Sequence, residues 1–416
     1  MTGLSACGLY RRGRRPRAAG GGVFLVLLLL APAAAQDFQV GARAKGMGGS
    51  YTAFGDDPVS IWANPAGPAA QPTQLALTYQ SFTQYEFGEV GMQVSPAVVG
   101  EPESGLLDPP ISPAFFGLVA QVGTDGLDVA VSVAYVRPFQ IKYVYYFDDP
   151  GLGDLLTQTD QQFSRIRAGI AAGKALSKES PLLTRISAGI AVDYVYSSYA
   201  EVDQSPDPAS ESLIYKDSAS APGFGAGLLA TLYETDALMA DLGVAYNSAA
   251  NFDFALDNAV FPVWDWPALA SAGLAFYLGE GYPLRLTFDV QWIGWRAAVG
   301  RPEPGMKRFE DTVSYSLGAE YRFRLDAATH WLFTRMGLKS LDTPWQDEGR
   351  LPAVGLSELR IDTHGDRMLI LSLGAGLYWA HANAAGDTRL SGIDLAVELF
   401  GDAPFLIGVS YTHQFD

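Results

Sequence analysis

Hydrophobic and polar residues alternate along most of the chain that follows residue 73. In residues 285–292, Arg, Thr, Asp and Gln share one face, whereas Leu, Phe, Val and Trp share the other. Residues 313–323 and 407–415 repeat the same pattern. A period of two residues is typical of β-strands with one polar and one apolar face. The pattern predicts an all-β fold, which is either a transmembrane barrel or part of a soluble sandwich.

The connections between the predicted strands distinguish these two architectures. The alternation predicts about fourteen strands, centred on residues 74–86, 112–122, 127–139, 160–174, 184–198, 222–234, 238–252, 267–279, 283–296, 311–323, 329–339, 369–381, 391–400 and 404–415. Connections after even-numbered strands are short, and most of those after odd-numbered strands are long, such as 87–111, 140–159, 199–221 and 340–368. Outer-membrane barrels have short periplasmic turns and long external loops. We therefore predict a transmembrane antiparallel β-barrel with both termini in the periplasm.

Residues 1–35 have the three parts of a secretory signal peptide. Five arginines precede the apolar run at 23–30, and a stretch of small residues at 31–35 follows it. The apolar run is shorter than the roughly 20 residues that a membrane-spanning helix needs. We predict cleavage after Ala35 and export to the bacterial outer membrane.

The predicted leader changes the charge of the chain. Removing its five arginines from the 28 basic residues leaves 23 against 45 acidic residues, a net charge of −22. Such a chain is a poor candidate for nucleic-acid binding, because that binding depends on Lys and Arg contacts to phosphates. The single cysteine, Cys7, lies in the leader, so we expect no disulfide in the mature chain.

Residues 36–72 lack sustained alternation and are rich in Gly, Ala and Pro. We predict that they form a hatch inside the barrel built from residues 73–416, because an unplugged barrel of this size would leak. Glycines permit backbone conformations that other residues disfavour, and a residue before proline favours an extended or turn geometry. The candidate hatch residues either gate the channel or only shape the plug: Gly46, Gly48, Gly49, Asn64, Pro65 and Ala66.

Aromatic residues lie near the ends of several predicted strands. Aromatic rings favour the two membrane interfaces, where one part of the ring is apolar and another is wet. The predicted outer belt contains Tyr143, Tyr145, Tyr146, Trp264, Trp266, Trp292 and Trp295, and the predicted periplasmic belt contains Tyr378 and Trp379. The alternative is that these rings pack in an ordinary core.

The N-terminal segment and several strands resemble those of a known family. The motifs are Gly41-Ala42-Arg43-Ala44, Met47-Gly48-Gly49, Asn64-Pro65-Ala66-Gly67, Trp266-Pro267-Ala268, Arg335-Met336-Gly337-Leu338 and the run at 371–376. In order and spacing they resemble FadL/TodX-like outer-membrane proteins over most of the mature chain. PorV-like proteins share the N-terminal pattern, and the hatch is closer to theirs.

This resemblance implies a fourteen-stranded barrel whose lumen is closed by an N-terminal hatch. It also implies passive uptake of hydrophobic small molecules, such as long-chain fatty acids or aromatic hydrocarbons, across the outer membrane. The alternative is a PorV-like role in protein secretion or surface attachment.

A hydrophobic cargo needs an apolar pocket in a polar lumen, because burial of apolar surface contributes about 25 cal/mol per Å². Phe54, Ile61 and Trp62 are predicted either to line such a pocket or to anchor the hatch to the wall. Arg285 and Arg322 lie on the polar strand faces and can meet a carboxylate. They can equally pair with Asp289 and Glu320, and we favour pairing.

Pro138 lies near the outer end of the third predicted strand. A proline removes one hydrogen bond from a sheet and is found at strand ends, edges and bulges. In FadL-type barrels a kink in the third strand opens a lateral exit into lipid, so the resemblance implies a lateral opening here. The alternative is that Pro138 only marks the end of the strand.

The residues indicate no catalytic site and no metal site. The four histidines are scattered without metal-ligand spacing, and we find neither a nucleophile elbow nor a phosphate loop. One predicted outer loop is acidic and is either a Ca²⁺ site or, as we favour, a solvated loop: Asp148, Asp149, Asp154 and Asp160. We predict a monomeric channel without a cofactor, whose partners are a hydrophobic ligand and membrane lipid.

Overall fold

The computed structural model describes most of the predicted mature chain. The described residues are 38–81, 83–88, 91–96, 112–123, 126–149, 153–176, 180–204, 213–254, 264–298, 310–325, 329–342, 349–351, 359–361, 367–382, 388–400 and 403–415. The predicted signal peptide lies outside them. Among the described residues, no helix is long and apolar enough to cross a membrane.

Strands dominate the structure. They are β1 (Gln74–Gln80), β2 (Thr83–Gly88), β3 (Gly91–Pro96), β4 (Ser112–Gln121), β5 (Asp128–Val136), β6 (Gln140–Asp149), β7 (Gly153–Ala175), β8 (Leu182–Gln204), β9 (Leu213–Glu234), β10 (Leu238–Asn247), β11 (Ala268–Leu278), β12 (Leu284–Gly294), β13 (Thr312–Arg324), β14 (His330–Asp342), β15 (Gly349–Leu351), β16 (Leu359–Ile361), β17 (Arg367–Ala382), β18 (Thr388–Phe400) and β19 (Ala403–Gln414). The helical turns are α1 (Ala42–Gly46), α2 (Ser60–Ala63), a 3-10 turn at Gly67–Ala70 and another at Trp295–Ala297.

Fourteen strands form a closed antiparallel barrel, namely β1, β4, β5, β7–β14 and β17–β19. Successive barrel strands pair with each other, and β19 pairs with β1 from Gln74↔Gln414 to Gln80↔Gly408, which closes the wall. The short connections lie at one rim, named here the short-turn rim, and the long connections lie at the long-loop rim. The predicted all-β barrel and its number of strands are confirmed.

The alternation seen in the sequence places apolar side chains outside and polar side chains inside. Ile190 and Leu317 are exposed on the outer surface, whereas Arg167, Asp289 and Glu320 are buried in the lumen. A soluble protein of this fold would have the opposite arrangement. The outer surface therefore suits lipid, which a transmembrane strand meets on one face only.

Several strands extend beyond their predicted ends. β7 and β8 each contain 23 residues, because strand pairing continues past the barrel into the long-loop region. The predicted loop at 140–159 is instead a hairpin of β6 and β7, in which Asp148 lies opposite Asp154. The prediction of one acidic loop was therefore wrong. Among the described residues, no group of acidic, His or Cys side chains is arranged to hold a metal.

The third barrel strand is interrupted at Pro138. β5 ends at Val136 and β6 begins at Gln140, and both strands pair with β7. Val136 lies opposite Arg165 and Gln140 opposite Gln162, so one extra residue is inserted, as in a β-bulge. β5 pairs with β4, whereas β6 pairs in parallel with β2. The neighbour of the third strand thus changes at the proline.

The hatch, residues 38–72, packs inside the barrel with almost every residue buried. Its backbone lies directly against glycines of the wall. A Cβ at Gly189 would overlap the Pro65 carbonyl oxygen, and a Cβ at Gly337 would overlap the Gly48 nitrogen. Because a glycine has no side chain, these positions allow backbone to contact backbone. This close packing fixes the position of the hatch against β8 and β14.

Four aromatic residues predicted to lie in the membrane belts instead face the interior. Trp264, Trp266, Trp295 and Tyr378 are buried, whereas Trp292 is partly exposed. Trp264, Trp266 and Trp295 lie just outside the barrel strands, where the alternation no longer determines the direction of a side chain. Tyr378 lies in β17 and donates a hydrogen bond to Asp394. The core alternative is correct for these four rings.

Candidate functional site

An ionic network joins the hatch to the barrel wall around Glu320 of β13. Arg43 of α1 donates hydrogen bonds to both carboxylate oxygens of Glu320 at 2.9 Å. Arg335 of β14 donates to the same carboxylate at 2.6 Å and Arg285 of β12 at 3.0 Å. Three guanidinium groups thus share one buried carboxylate.

Two further carboxylates balance the charge of this network. Asp56 of the hatch accepts hydrogen bonds from Arg43 at 2.9 Å and from Arg285 at 2.8 Å. Asp394 of β18 accepts one from Arg335 at 2.6 Å. Buried ions are tolerated when they are paired and hydrogen-bonded. The network therefore holds α1 against the wall; its three cations are matched by Asp56, Glu320 and Asp394, and Asp57 lies 3.6 Å from Arg43 at its edge.

Other hatch groups bind the same side of the barrel. Lys45 forms an ion pair with Glu398 at 2.6 Å. The backbone N–H groups of Tyr51 and Thr52 donate to Asp289 at 2.8 and 2.7 Å. Asp289 therefore holds the hatch backbone, and no arginine among the described residues pairs with it as the sequence suggested.

A carboxyl group in the hatch next to this network has an altered affinity for protons. Burial raises the pKa of Asp57 to about 6, although Arg43 opposes the shift. Asp57 accepts hydrogen bonds from the Tyr51 hydroxyl and the Val59 N–H. In neighbouring Asp56 burial acts to raise the pKa, but Arg43 and Arg285 outweigh it, and the pKa is lowered. The two adjacent carboxyl groups therefore titrate in different ranges.

The predicted ligand-binding residues lie in four different places. Arg285 joins the ionic network, and Arg322 donates a hydrogen bond to the Gly281 carbonyl at the short-turn rim. Phe54 stacks on Tyr51, with ring centroids 5.0 Å apart, beside Arg43 and Arg285. Ile61 packs near Gly117 of β4. Of the five, only Trp62 enters the aromatic cluster described next.

An aromatic cluster fills the lumen between the hatch and the long-loop rim. Its rings come from the hatch, the interrupted strand, β7 and the ends of β11 and β12, and they are Phe38, Trp62, Phe139, Phe163, Trp266 and Trp295. Phe38 lies 4.7 Å from Phe139 and 5.5 Å from Trp295 between centroids. These distances are typical of packed aromatic pairs. Phe38, the first described residue, is therefore inserted among rings of the barrel.

Two buried arginines of β7 border the aromatic cluster. The Arg165 guanidinium lies 4.2 Å from the Trp266 ring centroid, and that of Arg167 lies 5.1 Å from the Trp62 centroid. Asp193 of β8 accepts two hydrogen bonds from Arg167, at 2.7 and 2.9 Å, and one from Arg165 at 3.1 Å. Within the described part of the chain, Asp193 is the one carboxylate paired with either arginine.

The arginine pair carries a net positive charge in a buried position. Arg165 also donates to the Ser248 carbonyl at 2.8 Å, but its Nε has no hydrogen-bond partner among the described residues. Burial of two cations that share one carboxylate is costly. The arrangement therefore has capacity for one more anion beside an apolar surface.

The predicted hatch residues hold the plug in place. Asn64 donates from Nδ2 to the Thr52 and Leu228 carbonyls, at 2.8 and 2.9 Å, and accepts the Ala66 N–H at 3.1 Å. Gly48 and Gly49 have φ of 65° and 77°, which favour glycine. Gly46 lies against Gly374 of β17. Each of these contacts shapes the hatch, and gating by these residues stays a prediction.

Pro138 connects the wall to the aromatic cluster. Its carbonyl accepts a hydrogen bond from the Gln80 side chain at 3.3 Å, and the next residue, Phe139, points into the cluster. Arg137 donates its N–H to the Ala114 carbonyl at 2.7 Å, which is the last contact with β4. The interruption of the strand is therefore adjacent to the luminal rings.

The arginine pair and most of the ionic network were not predicted from the sequence. Arg165 and Arg167 flank Ile166, so the period-two pattern already placed both side chains in the lumen. Phe139 and Phe163 gave no comparable indication, because single aromatic residues in strands are common. Arg43 was noted only as part of a motif.

Comparison with solved structures gives the same architecture. The chain is similar to a Pseudomonas aeruginosa FadL homologue, with a TM-score of 0.54 and 17% identity, over 91% of this chain and 100% of that one. It is also similar to the Pseudomonas putida toluene transporter TodX, with a TM-score of 0.53 and 14% identity, over 91% of this chain and 99% of that one. For the Ralstonia pickettii toluene transporter TbuX the TM-score is 0.52 and the identity 13%, over 91% of this chain and 99% of that one. No protein-family model and no curated protein matches the sequence. In fold, this chain is a FadL-like β-barrel.

Proposed function

We propose that the protein is an outer-membrane channel for the passive uptake of hydrophobic small molecules. In this proposal residues 1–35 are a cleaved signal peptide, residues 36–72 are the hatch and residues 73–416 are the barrel. The channel works as a monomer, performs no catalysis and exchanges its ligand with membrane lipid. The observation that carries the proposal is the aromatic cluster beside the buried arginine pair, inside a barrel whose outer surface is apolar.

The arginine pair favours an amphipathic ligand that has a carboxylate. One carboxylate would balance the second guanidinium and accept the unused N–H of Arg165, while the aromatic rings would bury its hydrocarbon chain. Hydrogen bonds between ions are stronger than those between neutral groups. We therefore place long-chain fatty acids before neutral aromatic hydrocarbons as the ligand class.

Phe38 occupies the position that such a hydrocarbon chain would take. The ring contacts Phe139, Trp266 and Trp295, and the Phe38 carbonyl accepts a hydrogen bond from Trp62 at 2.9 Å. Entry of a ligand then requires that Phe38 leave the cluster. The hatch residues behind it, including Gly48 and Asn64, keep their contacts with the wall and act as a fixed floor.

The interruption at Pro138 supports a lateral route out of the aromatic cluster. The wall beside Phe139 changes its strand pairing there, and a hydrophobic molecule that leaves at this level enters lipid without crossing the hatch. A fixed floor formed by the hatch favours this route over passage through the plug.

Replacing Arg165 by Met tests the ligand class. Arg167 keeps its two hydrogen bonds to Asp193, so the barrel should fold, and the net charge beside the cluster is removed. In proteoliposomes we expect uptake of a labelled long-chain fatty acid to fall by about tenfold, which corresponds to one hydrogen bond to a charged group. Uptake of toluene should stay within about twofold of the wild type.

Arg185→Met is the matched control, because Arg185 lies in the neighbouring strand at the short-turn rim. If R165M takes up both the fatty acid and toluene equally slowly, or takes up both at the wild-type rate, the carboxylate proposal is contradicted. If the wild type admits no hydrophobic probe and co-purifies with secreted proteins, the channel proposal itself fails and the PorV-like role takes its place.

A disulfide between Ala114→Cys and Arg137→Cys tests the lateral route. It fastens the end of β5 to β4 where the strand is interrupted, and the mature chain has no other cysteine. Oxidation should slow uptake, and reduction should restore it. Ala120→Cys with Val131→Cys, paired in the same two strands nearer the short-turn rim, is the control. Unchanged transport in the oxidised A114C/R137C protein contradicts the lateral route.

A further inference from the structure

The outer surface of the barrel has a group of polar donors at the short-turn rim, far from the lumen. His381 of β17, Arg389 and Ser391 of β18 and His413 of β19 lie there on adjacent strands. Strand register puts His381 opposite Arg389 and Ser391 opposite His413. They share the face of Leu377, Ile393 and Val409, which are exposed on the lipid side.

The two imidazole rings are stacked over Ser391. Their centroids are 5.0 Å apart and their planes differ by 6°. The Ser391 hydroxyl lies 2.7 Å from Nδ1 of His413 and 3.4 Å from Nδ1 of His381. Because both rings direct Nδ1 at the serine, both Nε2 atoms lie on the ring edges turned away from it.

The hydrogen-bonding capacity of the serine restricts the protons on the two rings. One hydroxyl donates a single hydrogen and accepts another. Where it donates to Nδ1 of one imidazole, that neutral ring carries its proton on Nε2, which is then a hydrogen-bond donor directed away from the serine.

Arg389 adds a cationic group. Side chains directly opposite in neighbouring strands have Cβ atoms roughly 5 Å apart, so Arg389 lies beside His381. Its Nε donates to the Phe415 carbonyl at 3.0 Å, which fixes the guanidinium at this rim. A guanidinium and two imidazoles on one small area contrast with a chain whose formal net charge is −17.

Aromatic rings define the depth of this group in the membrane. The His413 ring lies 6.3 Å from Tyr411 and 4.8 Å from Phe415 between centroids. Trp379 of β17 lies opposite Ser391 on the same outer face. Such rings are enriched at the level of lipid head groups. The donors therefore lie where a membrane presents phosphate groups, and not in its hydrocarbon core.

We propose that His381, His413, Ser391 and Arg389 form a binding site for the phosphate group of an anionic phospholipid. Phosphate oxygens accept several hydrogen bonds, as this set of donors requires, and the aromatic rings contact the upper part of the acyl chains. The site assigns the short-turn rim to the phospholipid leaflet that faces the periplasm. It does not depend on what the lumen transports.

The test compares lipid binding by the full chain and two variants in detergent micelles. Native mass spectrometry counts bound phosphatidylglycerol, with phosphatidylcholine, whose phosphate is neutralised by a quaternary ammonium, as the zwitterionic comparison. We expect His381→Gln combined with His413→Gln to weaken phosphatidylglycerol binding by at least about tenfold, because charge-assisted hydrogen bonds are lost. His330→Gln is the matched control, since His330 lies at the same rim on β14, on the far side of Trp379.

A third arm replaces lipid by inorganic phosphate and follows the imidazole resonances by NMR. Shifts of His381 and His413 with phosphate at lipid-like affinity support the phosphate site but assign it to a soluble anion. Equal phosphatidylglycerol binding by the wild type and the double variant, with no effect of phosphate, overturns the proposal. A different migration of heated and unheated samples in SDS gels confirms that each variant is folded.

Discussion

The two sides of the lumen differ in how their buried charges are balanced. On the side of β12–β18, three guanidinium groups meet three carboxylates: Arg43, Arg285 and Arg335 with Asp56, Glu320 and Asp394. On the side of β7 and β8, two guanidinium groups share one carboxylate under aromatic rings: Arg165 and Arg167 with Asp193.

This difference separates holding the hatch from binding a ligand. The balanced network includes the hatch residues Arg43 and Asp56, so it fastens the hatch to the wall. The unbalanced pair comes from the wall alone and borders apolar rings. Because an unpaired buried charge is costly, we propose that a carboxylate stabilises that side. Removing the same kind of side chain from the two sides of the lumen should therefore have different effects.

The largest expected difference follows from removing one cation from each side. Arg335→Met leaves Glu320 and Asp394 with fewer partners, and we expect the free energy of unfolding to fall by about 3–5 kcal/mol. Arg165→Met leaves Asp193 held by Arg167 and should cost about 1 kcal/mol or less. Urea titration of the two proteins in the same lipid measures both changes. Similar losses would remove the distinction between the two sides.

Steric contacts between the hatch and the wall are expected on both sides. Gly189→Leu of β8 and Gly337→Leu of β14 each place a side chain where hatch backbone lies, at an expected cost of about 1–3 kcal/mol. Displacement of the plug should also raise ion conductance in planar bilayers. Ala188→Leu, on the outer face of β8, is the control. If G189L and G337L conduct like A188L, the hatch is not fixed by these contacts.

Removing one ring from each side should affect uptake in only one case. Phe38→Ala vacates part of the aromatic cluster, so entry of a labelled fatty acid in proteoliposomes should become several-fold faster. Phe54→Ala removes a ring from the balanced side, between Arg43 and Arg285, and should leave the uptake rate unchanged. If uptake became faster in F54A alone, the ligand would bind on the side of β12–β18, which contradicts our prediction.

The smallest expected effect concerns the protonation of Asp57 near the balanced network. Its pKa is about 6 in the folded protein and about 3.9 in an unfolded chain. The folded state therefore binds the proton more tightly between these values, and stability should decline as pH rises from about 4 to about 6. Asp57→Asn should flatten this dependence. Hydrogen exchange of hatch amides at pH 5 and pH 7 measures it, and an unchanged slope in D57N assigns the dependence to another group.

The fold could be predicted far better than the site. Strict alternation at 285–292 and 313–323 fixed which side chains face lipid, because neighbouring residues of a strand point to opposite sides. The same alternation gave the number of strands, and the lengths of the connections gave the two rims. Failures occurred where alternation stops, as at Trp264, Trp266 and Trp295, which precede or follow a strand and turn inward.

The candidate site was largely beyond sequence analysis because its members are distant in the chain. Arg43 meets Glu320 across 277 positions, and Phe38 meets Trp295 through closure of the barrel. Arg285 and Arg322 have equivalent positions on polar faces, yet only Arg285 reaches the network. Such pairings depend on the register between neighbouring strands, which no local sequence pattern indicates.

The sequence by itself determined that this protein is a barrel with apolar outside, polar inside and a plug before its first strand. These properties follow from a two-residue period and from the lengths of connections, which are local features. Only the tertiary structure decided which luminal charges are paired, which aromatic rings gather beside Arg165 and where the third strand is interrupted. The reason is that closure of the barrel and the position of the hatch bring together residues that are hundreds of positions apart.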